Sequence, residues 1–175
     1  MISIRLAEEK DISEILTIYN DIILNTTAVY EYQPQTLAMR KAWFDTKLKD
    51  GYPVFVAEQE NVIAGFSSFG PFRAWAAYKY TVENSVYVAS HLRGRGIGKL
   101  LLPPLLQKAR EKDLHVIIAS INSDNLASIR LHQSFGFEEV ALFRQVGFKF
   151  GKWLDLKFFE LILDSPKYPT ETIAS

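Results

Sequence analysis

The order of strand-like and helix-like segments predicts an α/β fold of the α+β type, with helices on both faces of a mixed, mostly antiparallel central sheet. Two runs of β-forming residues, 54–58 and 62–69, flank the polar turn 59–61, which is typical of an antiparallel hairpin. The purely apolar run 116–121 indicates a buried strand. These observations favour a domain built around a sheet.

Length and composition predict one domain. The chain has 175 residues, of which 48% are hydrophobic and 23% charged, an ordinary globular composition with enough apolar surface for a full core. We predict a single domain at 1–163 and a polar C-terminal tail at 164–175.

The first third of the chain predicts a strand and two helices. Residues 2–6 form the strand, and apolar residues recur at helical spacing over 12–23. Asp11 and Glu14 have the spacing of a capping box at the start of this helix. The second helix is capped by Thr36 and stops at Gly51, and the polar segment between the helices is expected to lie near a ligand.

The remainder alternates between the two element types. After the hairpin come a strand at 81–88, a helix from Gly96, a strand at 116–121, a helix at 126–135, and strands at 137–146 and 153–163. The helix from Gly96 carries apolar residues at Ile97, Leu100, Leu101, Leu105 and Ala109, and Pro103-Pro104 is expected to kink or loosen its first turns.

A basic glycine loop, Arg93-Gly94-Arg95-Gly96-Ile97-Gly98, joins the 81–88 strand to the following helix. The start of a helix leaves backbone N–H groups without partners, and glycines allow an anion to approach them closely. The helix dipole and the two arginines add positive charge. The loop therefore predicts a phosphate or pyrophosphate site, although a glycine-rich turn that only starts a helix is the simpler alternative.

Two common phosphate loops do not fit this segment. A Walker loop requires glycine at position 93 and Ser or Thr at position 100, where the chain has Arg93 and Leu100. The dinucleotide-binding fingerprint requires a third glycine where Lys99 stands.

Charge and cysteine content exclude several function classes. The formal net charge is zero, which argues against a general binder of nucleic acid or anionic membranes. Without cysteine there is no disulfide, thiolate metal site or cysteine nucleophile. The N-terminus lacks a signal-peptide pattern and no apolar run could span a bilayer, so we expect a cytoplasmic enzyme that uses no metal.

The spacing Arg93-x-x-Gly96-x-Gly98 resembles the acetyl-CoA pyrophosphate loop of the GNAT acetyltransferase superfamily, whose element order the chain shares. Further stretches resemble its phosphinothricin (methionine sulfoximine) acetyltransferase branch: 69–73, 77–78, 81–88, 130–132 and 146–155. The resemblance implies a GNAT fold, transfer of acetyl from acetyl-CoA to the α-amine of a glutamate-like amino acid, and a homodimer. The substrates it implies are phosphinothricin, methionine sulfoximine and methionine sulfone.

The same resemblance implies the coenzyme-binding residues. Backbone groups of the strand would pair with the pantetheine arm, and the Val88 N–H would stabilise the oxyanion. The full predicted set is Val86, Tyr87, Val88, Arg93, Gly94, Arg95, Gly96, Ile97, Gly98, Lys99, Asn125 and Ser134. For Asn125 a plain helix cap, and for Ser134 a surface serine, are the alternatives.

Two catalytic candidates follow from the resemblance. Glu83 lies on the strand that leads into the glycine loop and would act as general base, directly or through a water. A solvated carboxylate is its alternative. His132 stands where many GNAT enzymes carry a tyrosine general acid for the thiolate, and a structural histidine is the alternative.

The resemblance also implies the substrate-binding residues, which are Arg73, Ala74, Trp75, Glu83, Asn84 and Ser85. The planar guanidinium of Arg73 suits a carboxylate, and the aromatic residues around it would wall a pocket or form a dimer interface. Two rival functions remain open: acetylation of a protein or peptide amine, and a CoA-binding sensor without turnover.

Overall fold

The computed structural model describes residues 1–172. Seven strands and four helices follow one another in the predicted order: β1 Ile2–Leu6, α1 Ile12–Asn25, α2 Leu37–Lys49, β2 Val54–Gln59, β3 Val62–Pro71, β4 Thr81–Val88, α3 Ile97–Glu111, β5 Val116–Asn122, α4 Leu126–Gln133, β6 Glu138–Lys149 and β7 Lys152–Ile162.

All seven strands form one sheet in the order β1-β2-β3-β4-β5-β7-β6. Every neighbouring pair is antiparallel except β4 and β5, which are parallel. The predicted mixed, mostly antiparallel sheet is therefore confirmed. The parallel pair lies in the middle of the sheet, where an N-terminal part made of β1–β4 meets a C-terminal part made of β5–β7.

The helices cover both faces of the sheet, as predicted. On one face, α1 and α2 bury apolar side chains such as Ile15 and Phe44 against Phe66 of β3. On the other face, α3 packs Leu102 and Leu105 against residues of β4 and β5. Both layers are needed because each side of a central strand carries apolar side chains that must be kept from water.

The capping box predicted for Asp11 and Glu14 is wrong. Asp11 accepts hydrogen bonds from both terminal nitrogens of Arg5, at 2.7 and 2.9 Å, and from the Glu8 N–H at 2.8 Å. The Arg5 guanidinium lowers the pKa of the Asp11 carboxyl. Glu14 instead accepts a hydrogen bond from the Ile63 N–H at 2.8 Å, so each carboxylate is bound by a residue of another element, which the spacing does not show.

Helix α3 continues without interruption through Pro103 and Pro104. The predicted apolar face is shifted, because Leu100 is 44% exposed while Leu102 and Leu106 are buried. The last hairpin is also tighter than predicted: β6 and β7 reach to a turn at Phe150-Gly151, where both residues have positive φ angles.

Candidate active site

The site begins where β4 and β5 separate. The two strands pair only over Thr81–Glu83 and Val116–Ile118, although β4 continues to Val88. On its other edge, β4 stays paired with β3 as far as Val88. Beyond Glu83, one edge of β4 is therefore open, and a notch lies between the strands in the middle of the sheet.

The direction of the backbone groups decides what this open edge offers. The Ala89 N–H donates to the Ala64 carbonyl of β3 at 2.9 Å. Since N–H direction alternates along a strand, the N–H groups of Val88 and Val86 point away from β3 and into the notch. The Val88 carbonyl also faces this side, where it accepts a hydrogen bond from Arg93 Nε at 3.2 Å. An extended ligand could hydrogen-bond here as a further strand.

The glycine loop closes one end of the notch. Gly94 and Gly96 have φ angles of +78° and +79°, and a Cβ atom at either position would meet nothing within 4 Å. Positive φ angles favour glycine, and the open space leaves the backbone accessible. Helix α3 begins at Ile97, so its unpaired N–H groups and the positive end of its dipole face this space.

A cavity of about 670 Å³, the glycine-loop cleft, lies between this loop, the open edge of β4 and helix α4. Every predicted coenzyme residue lines it except Arg95, which is exposed. Asn125 both lines the cleft and caps α4, because its Oδ1 accepts a hydrogen bond from the Ser128 N–H at 3.1 Å. For Asn125, the helix-capping role and the predicted place in the coenzyme site are thus compatible.

Several residues of the glycine-loop cleft were not among the predicted coenzyme-binding residues. Thr26, Thr27 and Ala28 come from the α1–α2 segment, and Ser128 and Leu131 come from α4. The polar composition of the α1–α2 segment was the one signal that could indicate a ligand-binding role.

A second cavity of about 700 Å³, the β4–β5 pocket, adjoins the cleft along β4. Val86, Tyr87 and Asn125 line both cavities, so the two share a boundary. The pocket contains charges of both signs, including Glu83 and Lys47.

The predicted substrate residues divide between the pocket and its surroundings. Arg73, Glu83, Asn84 and Ser85 line the β4–β5 pocket. Ala74 and Trp75 do not line it: Ala74 is exposed, and Trp75 is 73% exposed and stacks on Tyr78. Sequence analysis missed Lys47 and the far wall of the pocket, which β5 and β7 supply through Ser120, Asn122, Leu156 and Phe158.

His132 is buried in the wall of this pocket, with 3% of its surface exposed. Its Nδ1 lies 2.8 Å from the Ser128 carbonyl, and its Nε2 lies 3.0 Å from Asn84 Oδ1. The Asn84 amide is oriented by its Nδ2, which donates to the Ile118 carbonyl at 3.1 Å. Burial lowers the pKa of the His132 imidazole. A neutral imidazole has a single N–H, so it donates to one of these two oxygens, and its burial among polar neighbours is typical of a histidine that holds them in place.

The α1–α2 segment is held over both cavities by the last hairpin. The Tyr30 hydroxyl accepts a hydrogen bond from Asn122 Nδ2 at 3.0 Å, and the Tyr30 ring lies against Gly147 with no room for a Cβ atom. Lys149 is buried and its Nζ donates to the carbonyls of Ile23 and Val29 at 2.6 and 2.8 Å. The wall formed by this segment is therefore fixed by residues of β6.

Comparison with known proteins identifies the family. Residues 15–137 match the model of the Acetyltransferase (GNAT) family. This chain belongs to the GNAT acetyltransferases. It is 48% identical over 163 residues to the L-methionine sulfoximine/L-methionine sulfone acetyltransferase of Pseudomonas aeruginosa, covering 93% of this chain and 95% of that one. It is 36% identical to the phosphinothricin N-acetyltransferase of Streptomyces coelicolor, covering 91% and 95% of the two chains.

A GNAT structure from Salmonella typhimurium was solved with its cofactor acetyl-CoA. It shares 43% identity and a TM-score of 0.94 with this chain, over 97% of this chain and 98% of the other. The present GNAT chain is likewise an acetyl-CoA-dependent N-acetyltransferase. Its open β4 edge and open glycine loop fit a ligand with an extended arm attached to a diphosphate.

Residues 1–172 of this GNAT enzyme hold neither a metal-ligand cluster nor a membrane-spanning helix. They contain no group of three or more His, Asp or Glu side chains placed to hold a metal ion. No helix in the same range is both long and apolar enough to cross a bilayer.

Proposed function

We propose that this enzyme acetylates the α-amine of a small amino acid of the glutamate-like class, with methionine sulfone and methionine sulfoximine as its best acceptors. The observation that carries the proposal is that the β4–β5 pocket contains a carboxylate and adjoins the glycine-loop cleft along β4. The name of the 48% identical Pseudomonas relative supplies the acceptor class.

Coenzyme binding is assigned to the glycine-loop cleft. The N–H groups of the loop and of the first turn of α3 would hold the diphosphate, with Arg93 and Lys99 adding positive charge. The free backbone groups of Val86 and Val88 would pair with the pantetheine arm. This placement brings the thioester end to the boundary with the β4–β5 pocket, where an acceptor amine would meet it.

Glu83 is proposed as the general base. An α-amine with a pKa of about 8 is largely protonated at neutral pH and must lose a proton before it can attack. Glu83 lines the pocket at the last residue of β4 that pairs with β5, so its carboxylate faces the acceptor space and can take this proton directly or through a water.

The Val88 N–H is proposed as the donor to the acetyl oxygen, on which negative charge develops during attack. When bound, acetyl-CoA supplies a thioester carbonyl that an amine can attack. Because the chain has no cysteine to form an acyl-cysteine, we propose direct attack within a ternary complex. The amine nitrogen then gains the bond to the acetyl carbon, and the carbon–sulfur bond breaks, so that coenzyme A leaves as the thiolate. Glu83 holds the proton lost before attack, and the second proton, which the nitrogen loses as the amide forms, neutralises the thiolate.

An acceptor panel tests the proposal. Methionine sulfone, methionine sulfoximine, phosphinothricin, glutamate and an alanyl peptide are each assayed with acetyl-CoA by thiol release. We expect the sulfone and sulfoximine to reach a kcat/KM of about 10⁴ M⁻¹s⁻¹ or more. Phosphinothricin should react more slowly, because the relative named for phosphinothricin is 36% identical to this chain and the one named for the sulfoximine and sulfone is 48% identical. A preference for the peptide would refute the proposal in favour of protein acetylation.

A homodimer is proposed from the exposed apolar surface of the last hairpin. Phe143, Val146, Phe148, Phe150 and Trp153 are each between 47% and 61% exposed, and β6 is an edge strand. Clusters of this kind on a sheet edge are typical of interfaces. Sedimentation should give a dimer that Phe148→Glu dissociates, whereas Leu37→Glu, at an equally exposed apolar residue of α2, should leave it intact.

A further inference from the structure

Lys47 is a half-buried cation in the β4–β5 pocket that no motif indicated. It lies in the last turn of α2, and its Nζ donates a hydrogen bond to the Phe69 carbonyl at 2.8 Å. The rings of Trp43 and Tyr52 have their centroids 5.8 and 5.6 Å from the same nitrogen. Three neighbours therefore hold the Lys47 ammonium group in a defined position.

The sheet register places this ammonium group on the same face of the sheet as Glu83. Gly70 of β3 and Glu83 of β4 are direct partners across the antiparallel pair. A Cβ atom at Gly70 would collide with Lys47 Nζ, so the ammonium occupies the space where a side chain at position 70 would begin. Directly opposite residues project from the same face, with Cβ atoms about 5 Å apart. The Lys47 ammonium and the Glu83 side chain therefore lie on the same face of the sheet and line the same pocket.

The Lys47 ammonium forms no ion pair within residues 1–172, and the charge of Asp50 acts on it only from a longer distance. None of the ion pairs within residues 1–172 includes Lys47 or Glu83. An ammonium group has three N–H donors, and the Phe69 carbonyl takes one of them. Burying a charge without a partner is costly, and a ligand anion would offset that cost.

We propose that Lys47 of α2 binds the carboxylate of the acceptor amino acid while Glu83 of β4 faces its amine. This inference rests on the proposed function. A free amino acid carries a positive ammonium and a negative carboxylate on the same carbon. Glu83 and Lys47 have the complementary charges. A peptide amine lacks the nearby carboxylate, so Lys47 is a specificity-determining residue against peptides.

Arg73, the cation expected from sequence, is placed differently. It is an exposed residue at the pocket rim, with its guanidinium carbon 5.1 Å from the centroid of the Phe72 ring. A charge in solvent is screened, whereas a half-buried charge acts at lower effective dielectric. Lys47 is therefore the stronger anchor for a carboxylate.

The first experiment compares two acceptors, methionine sulfone and its carboxamide, in the wild type and in Lys47→Met. Losing a charge-assisted hydrogen bond should raise KM for the acid about tenfold or more. KM for the carboxamide should change less than about twofold, because a neutral amide gains little from the ammonium. Gly70→Ala retains the lysine but displaces its Nζ, and should reduce the same acid-over-amide preference.

Controls separate this role from a structural one. Lys49→Met removes an exposed charge from the same turn of α2 and should change neither KM. The KM for acetyl-CoA should stay constant in all variants. Equal losses for acid and carboxamide in Lys47→Met, or a selective loss in Arg73→Gln instead, would overturn the inference while leaving the proposed function intact. A wild type inactive on all free amino acids would overturn both.

A pH series adds an independent readout. Burial lowers the pKa of the Lys47 ammonium to about 8. Its charge is then present below pH 8 and lost as the pH rises through that value. The other charged or titratable groups that face Lys47 are Asp50 and Arg40 of α2, Tyr52, Arg73 and Glu83.

The acid-over-amide preference should therefore fall between pH 7 and 9 in the wild type. Lys47→Arg keeps its charge throughout this range, so any pH dependence it retains belongs to the acceptors themselves. An identical pH profile in the wild type and in Lys47→Arg would contradict the inference.

Discussion

The glycine-loop cleft and the β4–β5 pocket meet along β4, but they are assembled in different ways. The cleft depends largely on one continuous stretch, residues 86–99, and much of what it offers is backbone N–H and C=O. The pocket gathers side chains from α2, β3, β4, β5, β7 and α4. Backbone recognition tolerates many side chains, so the cleft suits a constant coenzyme, whereas the pocket can differ between relatives that use different acceptors.

The sharpest test of this contrast is Glu83→Gln, on the pocket side. Removing a general base should lower kcat about 10²- to 10⁴-fold, because the amide cannot take the proton of the acceptor amine. The dissociation constant of acetyl-CoA, measured by calorimetry, should stay the same. Glu138→Gln, at an exposed glutamate of β6, serves as the matched control. Unchanged turnover in Glu83→Gln would remove the base assignment.

Gly96→Ala tests the cleft side. The backbone at residue 96 has a φ of +79°, and a methyl group there would project into the open space of the loop. We expect acetyl-CoA to bind about tenfold more weakly, from backbone strain and loss of close approach, with little change in the acceptor KM. Gly151→Ala imposes similar strain at φ +73° in the distant hairpin turn. If both variants weaken coenzyme binding equally, the loop has no direct role.

His132→Gln should have the smallest effect on turnover, because a thiol of pKa about 8.5 departs readily as the thiolate without a strong acid. We expect kcat to change less than about tenfold, while loss of the imidazole hydrogen bond to Asn84 or Ser128 lowers the free energy of unfolding by about 1–3 kcal/mol. A loss in kcat of about 100-fold or more in a fully stable variant would instead support the predicted general-acid role.

The pH dependence of stability provides a further check on His132. Its folded pKa is lowered by burial, so below the unfolded value of about 6.5 the unfolded chain binds the proton more readily. This residue therefore makes the protein less stable as the pH falls through that window, by up to about 1.4 kcal/mol per pH unit. The slope, measured by urea unfolding, should be shallower in His132→Gln.

Sequence analysis predicted the fold and the cleft well because their signals are local. The order of elements follows from hydrophobic periodicity, and the glycine loop is contiguous. Arg95 is the one predicted coenzyme residue outside the cleft lining, since consecutive loop residues cannot all face the same side. Asn125, far along the chain, was reached through the family resemblance and not through any spacing.

The pocket was predicted less completely because register and long-range contacts decide it. Lys47 enters through its contact with Phe69 and the missing side chain at Gly70, which no local pattern shows. Trp75 was expected in the pocket wall but is 73% exposed. Asp11 and Glu14 were misread for the same reason, since their partners Arg5 and Ile63 lie on other elements.

The close contact between Gly147 and Tyr30 means that a residue outside the pocket can affect which acceptors fit into it. Any larger residue at position 147 must push the tyrosine ring aside, and with it the hydroxyl that meets Asn122 in the pocket wall. Directed evolution toward bulkier acceptors could therefore begin at position 147, which lines neither cavity but where a single methyl group would displace part of the pocket wall.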